Sequence, residues 1–201
     1  MQCLVTDRRR LCPDVERFDE VRERLVEQAQ WAVRTGIDIV QAREPDLDTA
    51  DLVALVRALV GLSRGSGTRI LVNDRVDVAL ACGADGVHLR QDSLPADAVR
   101  RIAPADFLIS RSVHDVAGAL AAGPVDYLIA GTVFPTRSKP IHSPLLGLDG
   151  LAEIVRHAAM PVLAIGGITR ERLDDIAATG AAGIAGIGLF IPSFDRFETP
   201  S

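Results

Sequence analysis

The sequence predicts one α/β domain over residues 1–201, a (β/α)8 TIM barrel whose final helix is short or missing and whose chain ends in a polar tail at about 192–201. Three observations carry this. Apolar, β-branched runs recur along the chain, each followed by a helix-like pattern, which is the alternation of βαβ units. The composition is 48% hydrophobic with only 4% aromatic and 24% charged residues, as suits buried parallel strands covered by Ala- and Leu-rich helices. Polar, chemically able residues also gather where the apolar runs end, the face on which such barrels carry their active sites.

The expected strands are Gln2–Thr6, Asp38–Gln41, Arg69–Asn73, Gly86–Leu89, Phe107–Ser110, Tyr127–Ala130, Pro161–Ile165 and Gly183–Ile187, and a count of eight closes a barrel. Between the first two, Phe18–Thr35 reads as an amphipathic helix, with Val21, Leu25, Ala29, Ala32 and Val33 at helical spacing. Thr49–Leu62 is a second, carrying Leu52, Leu55, Val56 and Leu59. Arg75–Cys82, Leu94–Ile102, Asp115–Ala122, Leu148–Ala158 and Arg170–Thr179 complete the helices. Gly36, Gly61, Gly83, Gly123 and Gly180 stand where helices are expected to stop. After the last strand little but Gly188-Leu189-Phe190-Ile191-Pro192 remains, so an apolar seam beside the first long helix must be covered by Phe190, Phe194 and Phe197 or by a partner in a homodimer.

Several function classes are excluded. A net charge of −5 argues against nucleic acid, and the Arg8-Arg9-Arg10 run reads as solvated or as a local anion contact. Cys3, Cys12 and Cys82 lack metal-ligand spacing and are odd in number, which fits a reduced cytoplasmic protein. No apolar run approaches the length of a membrane span, and no targeting segment is visible.

The strand ends present Asp7; Gln41 and Arg43; Asn73 and Asp74; His88, Gln91 and Asp92; Ser110, Ser112 and His114; and Thr132. Two glycine clusters, Gly166-Gly167 and Gly186-Ile187-Gly188, follow the last two strands, where main-chain N–H groups commonly hold a phosphate. Gly166, Gly167, Ile187 and Gly188 are therefore the expected phosphate-binding residues, with Thr169 placed to cap the next helix. The stretch from Gly131 to Gly147 carries Thr132, Thr136, Ser138, Arg137 and Lys139, donors suited to closing over an anionic group. Asp85 and Asp126 precede strands and read as structural, Asp7 as a residue orienting Arg43 or another site residue, and His142 and His157 as exposed bystanders.

Gln41-Ala42-Arg43-Glu44, Val72-Asn73-Asp74-Arg75, Ala84-Asp85-Gly86-Val87-His88-Leu89, Ser110-Arg111-Ser112-Val113-His114, Gly131-Thr132-Val133-Phe134-Pro135-Thr136 and Ala164-Ile165-Gly166-Gly167-Ile168 together resemble the thiamine phosphate synthase/TenI superfamily. The resemblance spans nearly the whole chain and implies the same barrel. It also implies a small phosphorylated heterocycle as ligand: a thiazole phosphate in both branches, and a hydroxymethylpyrimidine diphosphate in the synthase. Gln41, Arg43, Asn73, Ser112, Thr136, Ser138 and Lys139 match positions that contact the pyrimidine diphosphate there, and His88 and Thr132 join them as expected substrate-binding residues.

Two departures bear on the branch. The synthase resemblance calls for a lysine after the Gln-x-Arg-Glu motif and for paired carboxylates holding magnesium, whereas this chain has Pro45 and Gln91-Asp92-Ser93. Asp74 remains as the one metal ligand of the synthase reading, and that ion also draws on substrate oxygens and water. Arg111-Ser112-Val113-His114 is similar to the tautomerase branch, in which the histidine transfers a proton, chemistry an imidazole suits. The expectation is thus a TenI-like thiazole tautomerase, an isomerase with His114 catalytic and no cofactor. The alternatives are a magnesium-dependent thiamine phosphate synthase, a transferase, or a non-catalytic ligand-binding homologue.

Overall fold

The computed structural model describes residues 1–15, 17–136 and 144–191. Eight parallel strands close in sequential order as a (β/α)8 barrel: β1 (Gln2–Val5), β2 (Ile39–Ala42), β3 (Arg69–Asn73), β4 (Gly86–Leu89), β5 (Leu108–Val113), β6 (Tyr127–Gly131), β7 (Val162–Ile165) and β8 (Gly183–Gly186). The helices between them are α1 (Arg8–Leu11), α2 (Phe18–Thr35), α3 (Thr49–Ser63), α4 (Val76–Cys82), α5 (Ala96–Ile102), α6 (Val116–Leu120), α7 (Gly147–His157) and α8 (Leu173–Ala178), the last preceded by a 3₁₀ turn at Arg170–Arg172. Internal contacts cluster in two units, one of Gln2–Val87 with the stretch from Ile187 onward, the other of His88–Gly186 with Met1.

In the first unit β1 pairs with β2 (Cys3↔Ile39, Val5↔Gln41) and β2 with β3 (Val40↔Ile70, Ala42↔Val72). All four residues of β2 are buried, the continuous burial expected of a parallel strand covered on both faces. The α2 stripe foreseen from its spacing is buried at Val21, Leu25, Ala29 and Ala32, and Gly36 ends the helix in the left-handed region at φ 75°. Phe190 packs on Trp31 of this helix, with ring centroids 6.4 Å apart and both side chains buried, and so covers the seam beside α2. Phe194 and Phe197 lie outside the described residues.

Local expectations fail at two places in this unit. Asp7 does not orient Arg43; its carboxylate accepts from the Arg10 N–H at 3.2 Å and caps α1, a helix too short for periodicity to reveal. The Arg43 N–H donates instead to the buried Thr6 hydroxyl at 2.9 Å. Gly61 lies within α3 and does not end it.

In the second unit β5 pairs with β6 (Ser112↔Ile129), β6 with β7 (Ala130↔Ala164) and β7 with β8 (Ala164↔Ile184). Strand β5 runs on to Val113, beyond the predicted Ser110, so that Arg111 and Ser112 are strand residues. Asp126 accepts from the Ile109 N–H at 2.6 Å and from Arg100 at 2.5 Å. In the first unit Asp85 does the same for the Ile70 N–H at 2.7 Å and Arg69 at 3.0 Å. Each aspartate thus ties the start of one strand to the strand before it. No helix among the described residues is long and apolar enough to cross a membrane.

Candidate active site

In the first unit the end of β2 carries a buried polar group. Gln41 is 2% exposed, and its Nε2 finds no hydrogen-bond partner among the described residues. A buried amide donor left unpaired costs about 1–3 kcal/mol, a cost that an acceptor on a bound molecule would remove. Three residues on, Glu44 is buried and accepts from the Arg8 N–H with both oxygens, at 3.1 and 3.2 Å. Burial pushes its carboxyl above the usual range, against the opposing pull of Thr6 and Arg8. The Arg8 guanidinium also grips Asp46 bidentately at 2.5 and 2.7 Å, which holds that carboxyl well below the usual range, and Arg9 joins the same carboxylate. The run read as solvated is therefore an anchor that clamps α1 to the loop after β2. Its signal in the sequence was the acidic pair Glu44 and Asp46 facing three arginines, which no local pattern links.

At the end of β3 the Arg75 N–H donates to the Asn73 carbonyl at 2.8 Å across Asp74, whose φ is +62°. This two-residue closure is a γ-turn, and a left-handed aspartate at its centre is uncommon outside functional sites. Asn73 borders a cavity of about 60 Å³ together with Ala42, Glu44, Pro45 and Arg75. Arg75 itself is engaged by Asp77 and Thr49. Beyond β8, Gly188 lies directly under the Arg10 guanidinium; a Cβ there would stand 2.6 Å from one terminal nitrogen.

In the second unit His88 is buried and bridges two hydroxyls of β5, Ser110 Oγ from Nδ1 at 2.9 Å and Ser112 Oγ from Nε2 at 2.8 Å. A neutral imidazole has one donor and one acceptor nitrogen, so one serine hydroxyl donates to the ring and the other accepts from it, and both oxygens are held in place. Arg111 points into the protein and donates to the Arg90, Gln91 and Leu94 carbonyls at 3.2, 3.3 and 2.5 Å. It holds the loop after β4. Within that loop the Ser93 hydroxyl accepts from the Arg90 N–H at 2.8 Å, and Asp92 forms an exposed ion pair with Arg90 at 2.8 Å.

His114 stands just past β5 and is exposed at the side of the β6 end, where its Nδ1 meets the Gly131 carbonyl. Since a carbonyl can only accept, Nδ1 is the donor in that bond. From β6 the chain docks on the loop after β7: the Val133 and Phe134 N–H groups donate to the Ile165 and Gly166 carbonyls at 2.9 and 3.0 Å, and Arg172 stacks on the Phe134 ring 4.1 Å from its centroid. Gly166 and Gly167 have φ of 103° and 61°. A Cβ on Gly166 would stand 2.5 Å from Thr132 Cγ2, and one on Gly167 would overlap the Phe134 and Pro135 carbonyls. Close approach of the β6 loop is thus sufficient reason for both glycines, whatever their amides bind. Thr169 occupies a helix-start position without a capping bond of its own. Thr132 and Thr136 are half-buried in the described part of this loop; Ser138, Lys139 and His142 lie outside the described residues.

No group of three or more His, Cys, Asp or Glu side chains able to hold a metal occurs among the described residues. Asp74 is the carboxylate fit to share a hard cation with oxygens of a bound phosphate ester.

Comparison with known proteins follows the same lines. Residues 11–190 match the TMP-TENI family, described as thiamine monophosphate synthase. A thiamine-phosphate synthase of Methanoregula boonei is 42% identical over 167 residues, 82% of this chain and 77% of that protein. One of Roseiflexus is 43% identical over 166 residues, 82% and 70% of the two chains. The solved structure of a thiamine phosphate pyrophosphorylase from Pyrococcus furiosus superposes with a TM-score of 0.78 at 32% identity, covering 98% of this chain and 95% of its own.

Proposed function

The chain belongs to the thiamine monophosphate synthase family, and we propose that within it this protein is a thiamine-phosphate synthase, joining hydroxymethylpyrimidine diphosphate to a thiazole phosphate with release of diphosphate. The observation that carries the proposal is the similarity, above 40% identity across four fifths of the chain, to proteins named for that activity. It corrects the expectation of a TenI-like tautomerase and isomerase. Within the Arg111-Ser112-Val113-His114 stretch that is similar to the tautomerase branch, Arg111 has a structural task. Its guanidinium binds three backbone carbonyls of the loop after β4, an anchoring task equally useful to either chemistry.

In the reaction the thiazole nitrogen attacks the pyrimidine methylene carbon, a C–N bond forms, and the C–O bond to diphosphate breaks. Negative charge grows on the departing oxygens, so donors and cations aimed there lower the barrier. Gln41 offers its buried Nε2 to an acceptor on the pyrimidine. Arg43 and Asn73 belong to the same unit and serve the diphosphate, as does Ser112, whose hydroxyl is held by His88. Thr132, Thr136, Ser138 and Lys139 complete the donor set in this reading. The amides of Gly166, Gly167, Ile187 and Gly188 hold the thiazole phosphate, and His114 flanks the β6 end without a required proton step.

Magnesium, when bound, supplies positive charge to the leaving diphosphate. Asp74 would hold it with substrate oxygens and water, a set compatible with Ser93 replacing the second carboxylate, since the Ser93 hydroxyl is committed to the Arg90 N–H. The test is direct. Purified protein incubated with both substrates and magnesium is expected to yield thiamine phosphate and diphosphate in equal amounts. No product, under conditions where a known synthase turns over, would overturn the proposal.

A further inference from the structure

The three arginines of α1 have three different fates. Arg8 is bound by Glu44 and Asp46, and Arg9 by Asp46. The main-chain N–H of Arg10 goes to the capping Asp7, while its guanidinium has no carboxylate partner among the described residues. Other arginines of the surface differ in this respect: Arg75 pairs with Asp77, Arg90 with Asp92 and Arg101 with Asp97, whereas Arg34, Arg57 and Arg64 are exposed and, like Arg10, form no ion pair among the described residues. Arg10 lies instead on Gly188, where a Cβ would come within 2.6 Å of one terminal nitrogen, 3.4 Å of Cζ and 3.6 Å of the other nitrogen.

Gly188 is not among the glycines with positive φ, so its backbone does not demand glycine. A Cβ there would meet the far end of the exposed Arg10 side chain, which would swing aside. The backbone bond from Arg8 to Glu44 and the bidentate grip on Asp46 hold α1 in place, so Arg10 is presented over Gly188 by a fixed support. A planar fork of donors, without a carboxylate partner among the described residues and seated at the amides that follow β8, is suited to a phosphate.

We propose that Arg10 is a further phosphate-binding residue of this enzyme, contacting the phosphate monoester of the acceptor substrate above Gly188. The inference rests on the synthase reading for the identity of the substrate. The site is one of substrate discrimination: Arg10 favours the phosphorylated thiazole over its unphosphorylated alcohol and leaves the pyrimidine diphosphate unaffected.

Arg10→Gln is expected to raise KM for the thiazole phosphate about tenfold, the effect of one exposed charge-assisted contact, with kcat and KM for the pyrimidine diphosphate unchanged. Turnover of the thiazole alcohol should be the same in both proteins. Arg10→Lys should recover part of the loss. Gly188→Ala, which forces the guanidinium aside, should mimic Arg10→Gln, and the double variant should be no worse than either alone. A separate arm titrates inorganic phosphate into wild type and Arg10→Gln by ³¹P NMR, where the variant should bind more weakly. Equal KM changes for both substrates, additive effects in the double variant, or identical phosphate binding would overturn the proposal. If the wild type makes no thiamine phosphate, the synthase reading fails while the phosphate arm still decides Arg10.

Discussion

Replacing Gln41 by Leu tests whether the end of β2 is built for a ligand or for stability. The side chain is 2% exposed, and its Nε2 has no partner among the described residues. Leaving such a donor unpaired costs about 1–3 kcal/mol, while Leu has nearly the volume of Gln and leaves little cavity. The variant should therefore gain about 1–2 kcal/mol in the absence of substrate. For a chain of 201 residues this corresponds to a rise in Tm of about 2–8 °C, read by circular dichroism. Affinity for the pyrimidine diphosphate, measured by calorimetry, should fall by about tenfold or more, since the ligand then loses its buried donor. A lower Tm together with unchanged affinity would refute the reasoning, because it would make Gln41 a structural residue.

Arg111→Met removes three contacts to the carbonyls of Arg90, Gln91 and Leu94; it should cost about 2–4 kcal/mol and speed hydrogen exchange at residues 90–94, and equal exchange in both proteins would show that the arginine is not an anchor. Asp74→Asn keeps a residue that tolerates φ of +62°, so unfolding should be little changed while the magnesium concentration for half-maximal activity rises about tenfold or more; an unaltered magnesium titration would remove Asp74 from the site. The last test concerns Glu44, whose carboxyl is raised chiefly by burial. A raised acid is most favourable to the fold when protonated, so its contribution is complete below the ordinary carboxylate pKa and is lost as pH rises through the shifted value. Relative to Glu44→Gln, which does not titrate, wild type should thus become less stable as pH rises above the ordinary carboxylate range of about 4. Denaturant unfolding of both proteins as pH is raised checks it, and a constant difference would contradict the shift.

Much of the barrel was legible because burial leaves a local imprint. Arg69–Asn73 and Gly86–Leu89 are strands with the bounds their apolar runs suggest, and Phe18–Thr35 is the helix its spacing describes. Gln41, Asn73 and Asp74 could be found as polar residues ending such runs. Helix α1 could not, since four residues carry no period and its charges suggested solvent.

What the sequence determined by itself is the alternation of buried strands and amphipathic helices, and with it the face on which polar residues collect, because both follow from the spacing of apolar side chains along the chain. Which partner each of those residues meets depended on distances that spacing does not encode. Arg8 finds Glu44 across 36 positions and Arg111 finds Leu94 across 17. Gly166 and Gly167, read as a phosphate cradle, are required by the approach of Thr132, Phe134 and Pro135. A guanidinium's direction and a glycine's neighbour are set by tertiary packing, and so it was packing, together with the relatives of the whole chain, that turned Arg111 from a sign of the tautomerase into an anchor of a loop.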